Sequence, residues 1–577
     1  MVNLKINGID VSVPEGSTIL EAAREAGIRI PTLCYMKEIN AIGACRVCMV
    51  EVKGARSMVA ACVYPVAEGM EVTTDSDKVI AARKTTLELI LSDHNRACLS
   101  CSRNLNCELQ ALSKEYGCDA VKYQGAVNES EKDVSTDYLV RDNSKCILCR
   151  RCVAACKGQE VAVIGATERG FSTKISCAFD EDLVNNPCVA CGQCINVCPT
   201  GALHEKEEID DVKAALADPE KVVIVGCAPA VRAGIGEEFG YPIGTNVEGK
   251  LATALKRIGF DKVFDVNFAA DVTIMEESAE LLERIEKGGK LPLITSCSPG
   301  WIRYMEFYYP ELMENVSSCK SPQQMFGALI KTYYAEKNNI DPKNIFVVSI
   351  MPCVAKKFEK TREYENASGY PDIDASLTTR ELAKLIKEKG ILFNYLPDGV
   401  MDNPMGEFSG AGVIFGATGG VMEAALRTAV EKITGETLGK LDFTEVRGMD
   451  GIKEASYNVG GLNVKVAVAS GLSNAKVLCD KIKNGEADYQ FVEIMCCPGG
   501  CVNGGGQPIL DTYTRREVDY KMLRAKALYD EDQAKVIRKS HENPMVKDIY
   551  ENYLGKPAGH KAHELLHTKY VKRNKYE

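Results

Sequence analysis

IMCCPGGCVNGGGQ, residues 494–507, offers Cys496, Cys497 and Cys501 directly after Phe491–Met495, an apolar run with the length of a buried strand. Three other cysteines stand in the same relation to an apolar run: Cys353 in MPCVAKK after 345–350, Cys297 in TSCSPGW after 291–294, and Cys227 in GCAP after 222–225. In open α/β sheets the crevice beyond the carboxyl ends of the strands is where cofactors bind, so four such loops deliver sulfur to one point. Gly499, Gly500, Gly504, Gly505 and Gly506 allow the backbone to approach something bulky and rigid. The expected occupant is an iron–sulfur centre.

Around these loops, strand-like and helical runs share the region 210–577: 222–225, 276–287, 291–294, 345–350, 382–389, 464–469 and 491–495. The pattern predicts helices on a sheet. A charged stretch at 205–211 marks the boundary before it, and residues 523–577 are charged and predicted to be helical, wrapping the surface. HELLH at 563–567 matches a zinc-protease motif, but it has no evident third ligand and leaves every sulfur loop unexplained. SGAGVIFGATGG at 409–420 lacks the order of a phosphate-binding loop, so close packing is the expected reason for its glycines.

Upstream, residues 3–13 alternate around Asn7-Gly8, a hairpin signal. A helix follows, with Thr18 and Glu21 as a capping box and Gly27 at its end. Cys34, Cys45, Cys48 and Cys62 then place a close pair between two distant partners. This suits a 2Fe-2S centre of plant-ferredoxin type better than zinc, which favours two close pairs. Residues 1–79 are read as that domain. His94, Cys98, Cys101 and Cys107, within a domain at 80–125, suit either zinc or iron–sulfur by spacing alone. Their position between two iron–sulfur segments favours a 4Fe-4S cluster with one histidine ligand. At 126–209, Cys146, Cys149, Cys152 and Cys156 repeat the spacing of Cys188, Cys191, Cys194 and Cys198. In two-cluster ferredoxins the fourth cysteine of each run ligates the other cluster, so Cys198 completes the first set and Cys156 the second.

Formal net charge is −10 over 577 residues, without a long basic block, which argues against a nucleic-acid partner. The N-terminus lacks the apolar core of a signal peptide and no stretch has the length of a membrane span, so a soluble, cytoplasmic protein is expected. Twenty-five cysteines at metal-type spacings point to ligation rather than disulfides.

TSCSPGW, MPCVAKK and IMCCPGGCVNGGGQ resemble the three signature segments of the iron-only, or FeFe, hydrogenases, and the upstream motifs resemble the multi-cluster clostridial type of that family. The resemblance covers essentially the whole chain. It implies a multidomain α+β and α/β protein: a ferredoxin-like β-grasp domain, a His/Cys cluster domain, a two-cluster bacterial ferredoxin-like domain, and a large α/β catalytic domain at 210–577. It implies an oxidoreductase that interconverts protons and hydrogen with electrons from ferredoxin or another low-potential carrier. The implied cofactors are one 2Fe-2S cluster, three accessory 4Fe-4S clusters, one with a histidine ligand, and an H-cluster. In the H-cluster a 4Fe-4S cubane is joined through a cysteine to a diiron unit carrying carbon monoxide, cyanide and azadithiolate. Maturases that insert the diiron unit are implied partners, and a monomer is expected.

By the same resemblance Cys353 and Cys497 match cubane ligands and Cys501 the bridging cysteine. Lys356 and Pro229 match positions beside the cyanides, and Met351 and Met495 match methionines packed on the diiron unit. Cys297 matches the proton-donating cysteine, with an outward relay through Glu277, Ser317, Glu280 and Arg284. Without the resemblance, Glu277, Glu280 and Arg284 read as an ordinary solvated helix face.

One position departs from the family pattern: Ser298 stands where the family has a second cysteine, itself a cubane ligand. A hydroxyl is a harder and far less readily ionised donor than a thiol. Three arrangements follow: Cys297 shifts into ligation, Cys496 supplies a compensating sulfur, or Ser298 ligates or leaves an iron open. A divergent subgroup is expected, and a redox sensor or electron-transfer protein with little turnover is the alternative to the enzyme.

Overall fold

The computed structural model describes residues 1–128 and 130–575. The chain divides into two compact units.

The first unit comprises Met1–Cys188, Val197–His204 and Ile509–Thr514. It opens with a sheet ordered Ile9–Val13, Val2–Ile6, Glu71–Thr73, Met49–Val52, Val59–Ala60. Asn7 and Gly8 take φ of 50° and 82°, the left-handed pair that a tight hairpin between the first two strands requires. Helix Ile19–Glu25 begins at the capping box of Thr18 and Glu21 and buries Ile19, Leu20, Ala22 and Ala23 against Ile6, Val13 and Val72. Helices Asp77–Ser92 and Glu108–Glu115 share a small core through Leu87, Leu109 and Leu112. Arg151, at the start of helix Arg151–Gly158, is wholly buried and bonds Glu108 with both terminal nitrogens, at 2.7 and 3.1 Å.

The second unit comprises Val189–Asn196, Glu205–Pro508 and Arg515–Glu577. It has two four-stranded sheets. In one, Lys262–Asp265, Val222–Cys227, Ile345–Met351 and Ala375–Thr378 run parallel in that order. In the other, Leu293–Ile294, Phe491–Met495 and Leu462–Ser470 are parallel, and Ile452–Val459 is an antiparallel edge. The inner strands Val222–Cys227, Ile345–Met351 and Phe491–Met495 are buried along almost their whole length, as expected of strands covered on both faces. The strand expected at 291–294 is confined to its last two residues. Pro292 has no N–H to give to a ladder.

Glu493 interrupts the apolar strand Phe491–Met495, and its carboxylate accepts the Gly419 and Met422 N–H groups at 2.7 Å each. A buried acid thereby caps the positive end of helix Gly420–Thr434. The glycines of 409–420 are required by packing: a Cβ on Gly412 would lie 2.6 Å from the Asn267 carbonyl oxygen, and one on Gly416 would lie 2.4 Å from Leu528.

The run 276–287 is helical, within Val266–Lys287, and 382–389 is helical up to the end of Thr379–Glu388, with Lys389 as its C-cap. The C-terminal stretch is helical in part, through Tyr520–Ala534, Pro544–Ile549 and His560–Leu566, but it does not merely wrap the surface. Val546, Ile549, Leu554 and Leu566 enter the main core, because the charged residues of these short helices sit between apolar ones at helical spacing. Residues 576 and 577 of that stretch lie outside the described residues.

Candidate active site

Four parallel strands end in sulfur. Cys227 closes Val222–Cys227 and Cys353 follows Ile345–Met351; Cys297 lies three residues past Leu293–Ile294, and Cys496 and Cys497 follow Phe491–Met495. The two signature segments nearest the second sheet are stitched together: Thr295 N–H donates to Val492 O at 3.0 Å, and Ile494 N–H to Thr295 Oγ1 at 3.2 Å. The loops enclose one mostly apolar cavity to which Cys297, Cys353, Cys496, Cys497 and Cys501 all contribute. Pro229, Met351, Met495, Ser298 and Lys356 also line it. Cys227, by contrast, is buried in the main core and is not part of the cavity wall.

The glycine loop is clamped. Gly500 takes φ 91°, and a Cβ there would lie 2.7 Å from Thr418 N; a Cβ on Gly504 would lie 2.0 Å from Pro352 O. Arg380 holds the loop through the carbonyls of Gly505 at 2.8 Å and Gln507 at 2.6 Å, and is itself paired with Glu205 at 2.7 Å. The sequence reading missed Arg380, which carries no local signal because its targets lie 125 and 127 residues away.

Lys356, in the short helix Ala355–Glu359, reaches the Cys297 carbonyl at 3.3 Å and Glu359 at 2.8 Å. Its positive charge offsets part of the rise that burial imposes on the thiols of Cys297, Cys353 and Cys501. Burial raises Cys297 well above the usual thiol range, and the Glu277 carboxylate adds to the rise. Burial likewise pushes Cys501 up to about 12.

Glu277 lies on helix Val266–Lys287 and is 1% exposed. Burial and then Glu280 push its carboxyl up to about 8, tempered by the Ser296 backbone and the Ser317 hydroxyl. Ser317 is fixed by its N–H donating to Ile294 O at 2.8 Å, and its hydroxyl donates to Glu280 Oε2 at 2.8 Å. Glu280 pairs with Arg284 one turn along at 2.6 Å. Ser317, Glu280 and Arg284 are thus hydrogen-bonded in series up to a half-buried ion pair, and the carboxylate of Glu277 is buried on the same helix without a hydrogen-bond partner of its own among the described residues. The solvated-face reading fails for Glu277, because the C-terminal segment covers that side. Tyr570 donates to the Ser317 carbonyl, His567 Nδ1 lies 2.8 Å from Ser318 Oγ, and His567 Nε2 lies 3.1 Å from Glu276. His563 stacks on His567 at 4.5 Å. HELLH therefore serves packing and hydrogen bonding around the helix.

In the first unit Cys34, Cys45, Cys48 and Cys62 meet. Cys48 and Cys62 sulfurs are 3.3 Å apart, and Cys45 N–H lies 3.5 Å from Cys34 Sγ. Hydrogen bonds from the Cys45 and Cys62 thiols pull Cys34 down to about 2. His94, Cys98 and Cys107 line a second cavity, and a Cβ on Gly201 would lie 2.4 Å from Cys101 Sγ. Burial, with Lys145 nearby, lowers His94 to about 4. Cys146, Cys149 and Cys152 converge with Cys198 on a third cavity. Of the other set, Cys156 and Cys188 belong to the first unit, Cys191 and Cys194 to the second.

Residues 221–505 match the C-terminal domain of the iron only hydrogenase large subunit, and 518–573 match the iron hydrogenase small subunit. The chain is 49% identical to the NADP-reducing hydrogenase subunit HndD of Solidesulfovibrio fructosivorans, over 100% of both chains. It is 46% identical to iron hydrogenase 1 of Clostridium pasteurianum, over 99% of this chain and 100% of that one. The chain belongs to the iron-only hydrogenases. The structure of FeFe-hydrogenase HydA1 from Chlamydomonas reinhardtii aligns with a TM-score of 0.57 at 46% identity, covering 64% of this hydrogenase and 99% of the algal chain. Upstream of the catalytic region, residues 1–77 match a 2Fe-2S binding domain, 83–122 the iron–sulfur region of NADH-ubiquinone oxidoreductase G, and 145–202 a 4Fe-4S dicluster domain. The second of these matches is to an iron–sulfur region and covers the segment around His94.

The cavity suits the H-cluster of these hydrogenases: its donors are soft thiols carried on separate loops, its other walls are apolar, and its glycine backbone leaves no room for side chains. Among the described residues no helix is long and apolar enough to cross a membrane.

Proposed function

We propose that this hydrogenase reduces protons reversibly, with electrons from reduced ferredoxin passed inward through one 2Fe-2S and three accessory 4Fe-4S clusters. Cys34, Cys45, Cys48 and Cys62 hold the first; His94, Cys98, Cys101 and Cys107 the second; Cys146, Cys149, Cys152 and Cys198 the third; Cys188, Cys191, Cys194 and Cys156 the fourth. Cys353, Cys497 and Cys501 bind the H-cluster, which supplies the metal chemistry of hydrogen. Lys356 and Pro229 would hold its polar side, and Met351 and Met495, which line the same cavity, would exclude water from it.

The observation that carries this reading is Glu277, buried between the Cys297 loop and Ser317 and held near neutrality of charge up to a pH of about 8. Cys297 keeps its proton in the apolar cavity and exchanges it with Glu277. Ser317 passes the proton to Glu280, and Arg284 places that carboxylate at the outer end. Cys297→Ala should abolish turnover while leaving iron content and the infrared bands of carbon monoxide and cyanide in place. Loss of the bands together with activity would instead make Cys297 a ligand.

A second reading concerns the electron partner. The full-length likeness to a subunit named for NADP reduction favours a chain that exchanges electrons with a nicotinamide-linked partner protein. Hydrogen turnover of the purified chain with reduced ferredoxin, but none with NADPH until a partner is added, would join the two readings. Failure with ferredoxin under conditions where a small dye supports turnover would leave only the second.

A further inference from the structure

We propose that Cys496 provides the fourth thiolate of the cubane, in the place where Ser298 offers only a hydroxyl. This rests on the reading that Cys353, Cys497 and Cys501 hold that cubane.

A 4Fe-4S cubane takes four protein ligands, ordinarily thiolates. The cavity wall contains six thiols: Cys191, Cys297, Cys353, Cys496, Cys497 and Cys501. Cys191 belongs to a C-x2-C-x2-C run that has its own cluster. Cys297 has its carbonyl held by Lys356 at 3.3 Å and is the cysteine read above as the proton donor. On that reading Cys297 is not a cubane ligand, and Cys496 is the thiol left to complete the set.

Local geometry favours the same residue. The Cys496 thiol lies within hydrogen-bonding reach of Cys497, an assigned cubane ligand, and of Cys191. It also leans over the turn that carries Ser298: a Cβ on Gly300 would lie 2.7 Å from Cys496 Sγ and 3.2 Å from its Cβ. Ser298 Oγ accepts the Cys496 backbone N–H at 3.1 Å. The hydroxyl thus anchors the backbone of the residue that brings the sulfur, and the two positions exchange roles across one hydrogen bond. Cys496 is 4% exposed, so its thiol is screened from water until iron arrives. On ligation the S–H bond breaks, an S–Fe bond forms and the proton leaves, as for any cluster thiolate.

The test is iron content and spectroscopy of the full chain matured with its cluster. Cys496→Ala should lose the H-cluster irons, about six of about 20 from the motif count, together with the carbon monoxide and cyanide bands. The 2Fe-2S resonance signal, far along the chain, should remain and so report an intact fold. Cys496→Ala combined with Ser298→Cys should restore the irons and the bands. Full iron and unshifted bands in Cys496→Ala would overturn the proposal and leave Cys496 a hydrogen-bonding neighbour of Cys191. Loss that Ser298→Cys fails to restore would overturn it too. Cys353→Ala is the control for the underlying reading: if it also keeps the H-cluster, the assignment of the whole cavity fails, whereas loss there with retention in Cys496→Ala sinks only the present proposal.

Discussion

The Ser317 hydroxyl donates to Glu280 Oε2 over 2.8 Å, although the two residues are 37 positions apart and on different elements. That bond joins a loop fixed on the edge of one sheet to a helix that begins beyond the other. It links Ser317 to the Glu280–Arg284 pair, on the helix that also carries the buried Glu277.

Glu277→Gln keeps the shape and hydrogen-bonding capacity of the side chain but cannot cycle a proton. Turnover should fall by roughly 10²- to 10⁴-fold, the usual contribution of a positioned acid–base group, while the infrared bands of the cluster stay in place. Turnover within twofold of the parent would show that protons take another route.

The same residue gives a pH signature in stability. Its folded carboxyl sits at about 8 against an ordinary value of 4.5, so the folded state holds a proton that the unfolded state releases between those pH values. Stability contributed by the neutral form is therefore present in full below about 4.5 and lost as pH rises towards 8. Thermal midpoints measured from pH 5 to 8.5 should fall less steeply in Glu277→Gln than in the parent chain. Parallel curves would mean that the carboxyl is not held neutral.

His94, lowered to about 4, is a neutral imidazole at pH 7 and ready to ligate. His94→Ala should remove about four irons from a total of about 20 while leaving the 2Fe-2S resonance signal, which in turn should disappear in Cys48→Ala. Stoichiometric zinc at this site, in protein purified without added zinc, would show that the segment holds a different metal here.

Arg380→Ala should release the glycine loop. It removes one partner of a mostly buried pair and leaves Glu205 uncompensated, a change that costs about 3–5 kcal/mol. Reduced thermal stability with lower H-cluster occupancy is expected. Normal occupancy would mean that the loop holds its shape without the clamp.

Much of this was legible in the chain. Strand runs that each end in a cysteine gave the parallel sheets and the convergent loops, because apolar runs of strand length and cysteine spacing are local signals. The hairpin at Asn7-Gly8 and the capping box of Thr18 and Glu21 were legible for the same reason. What was hidden depends on distant partners. Glu277 looks solvated in sequence, yet the segment bearing His567 and Tyr570 covers its neighbours. Glu493 looks like a flaw in a buried strand until the helix that it caps is in view. The C-terminal stretch reads as surface because its charges outnumber the few apolar residues that reach the core.

The contacts of Tyr570 with Ser317 and of His567 with Ser318 span 253 and 249 residues. At about 5–20 residues per second, a ribosome takes roughly 13 to 50 s to supply the later partner after the earlier one. Every cysteine of the chain has been made before that interval ends, the last of them at position 501. Synthesis therefore delivers the sulfur first and the cover over Ser317 and Ser318 last. A chain cut short before His567 retains all its cysteines and lacks the contacts that close over Ser317 and Ser318.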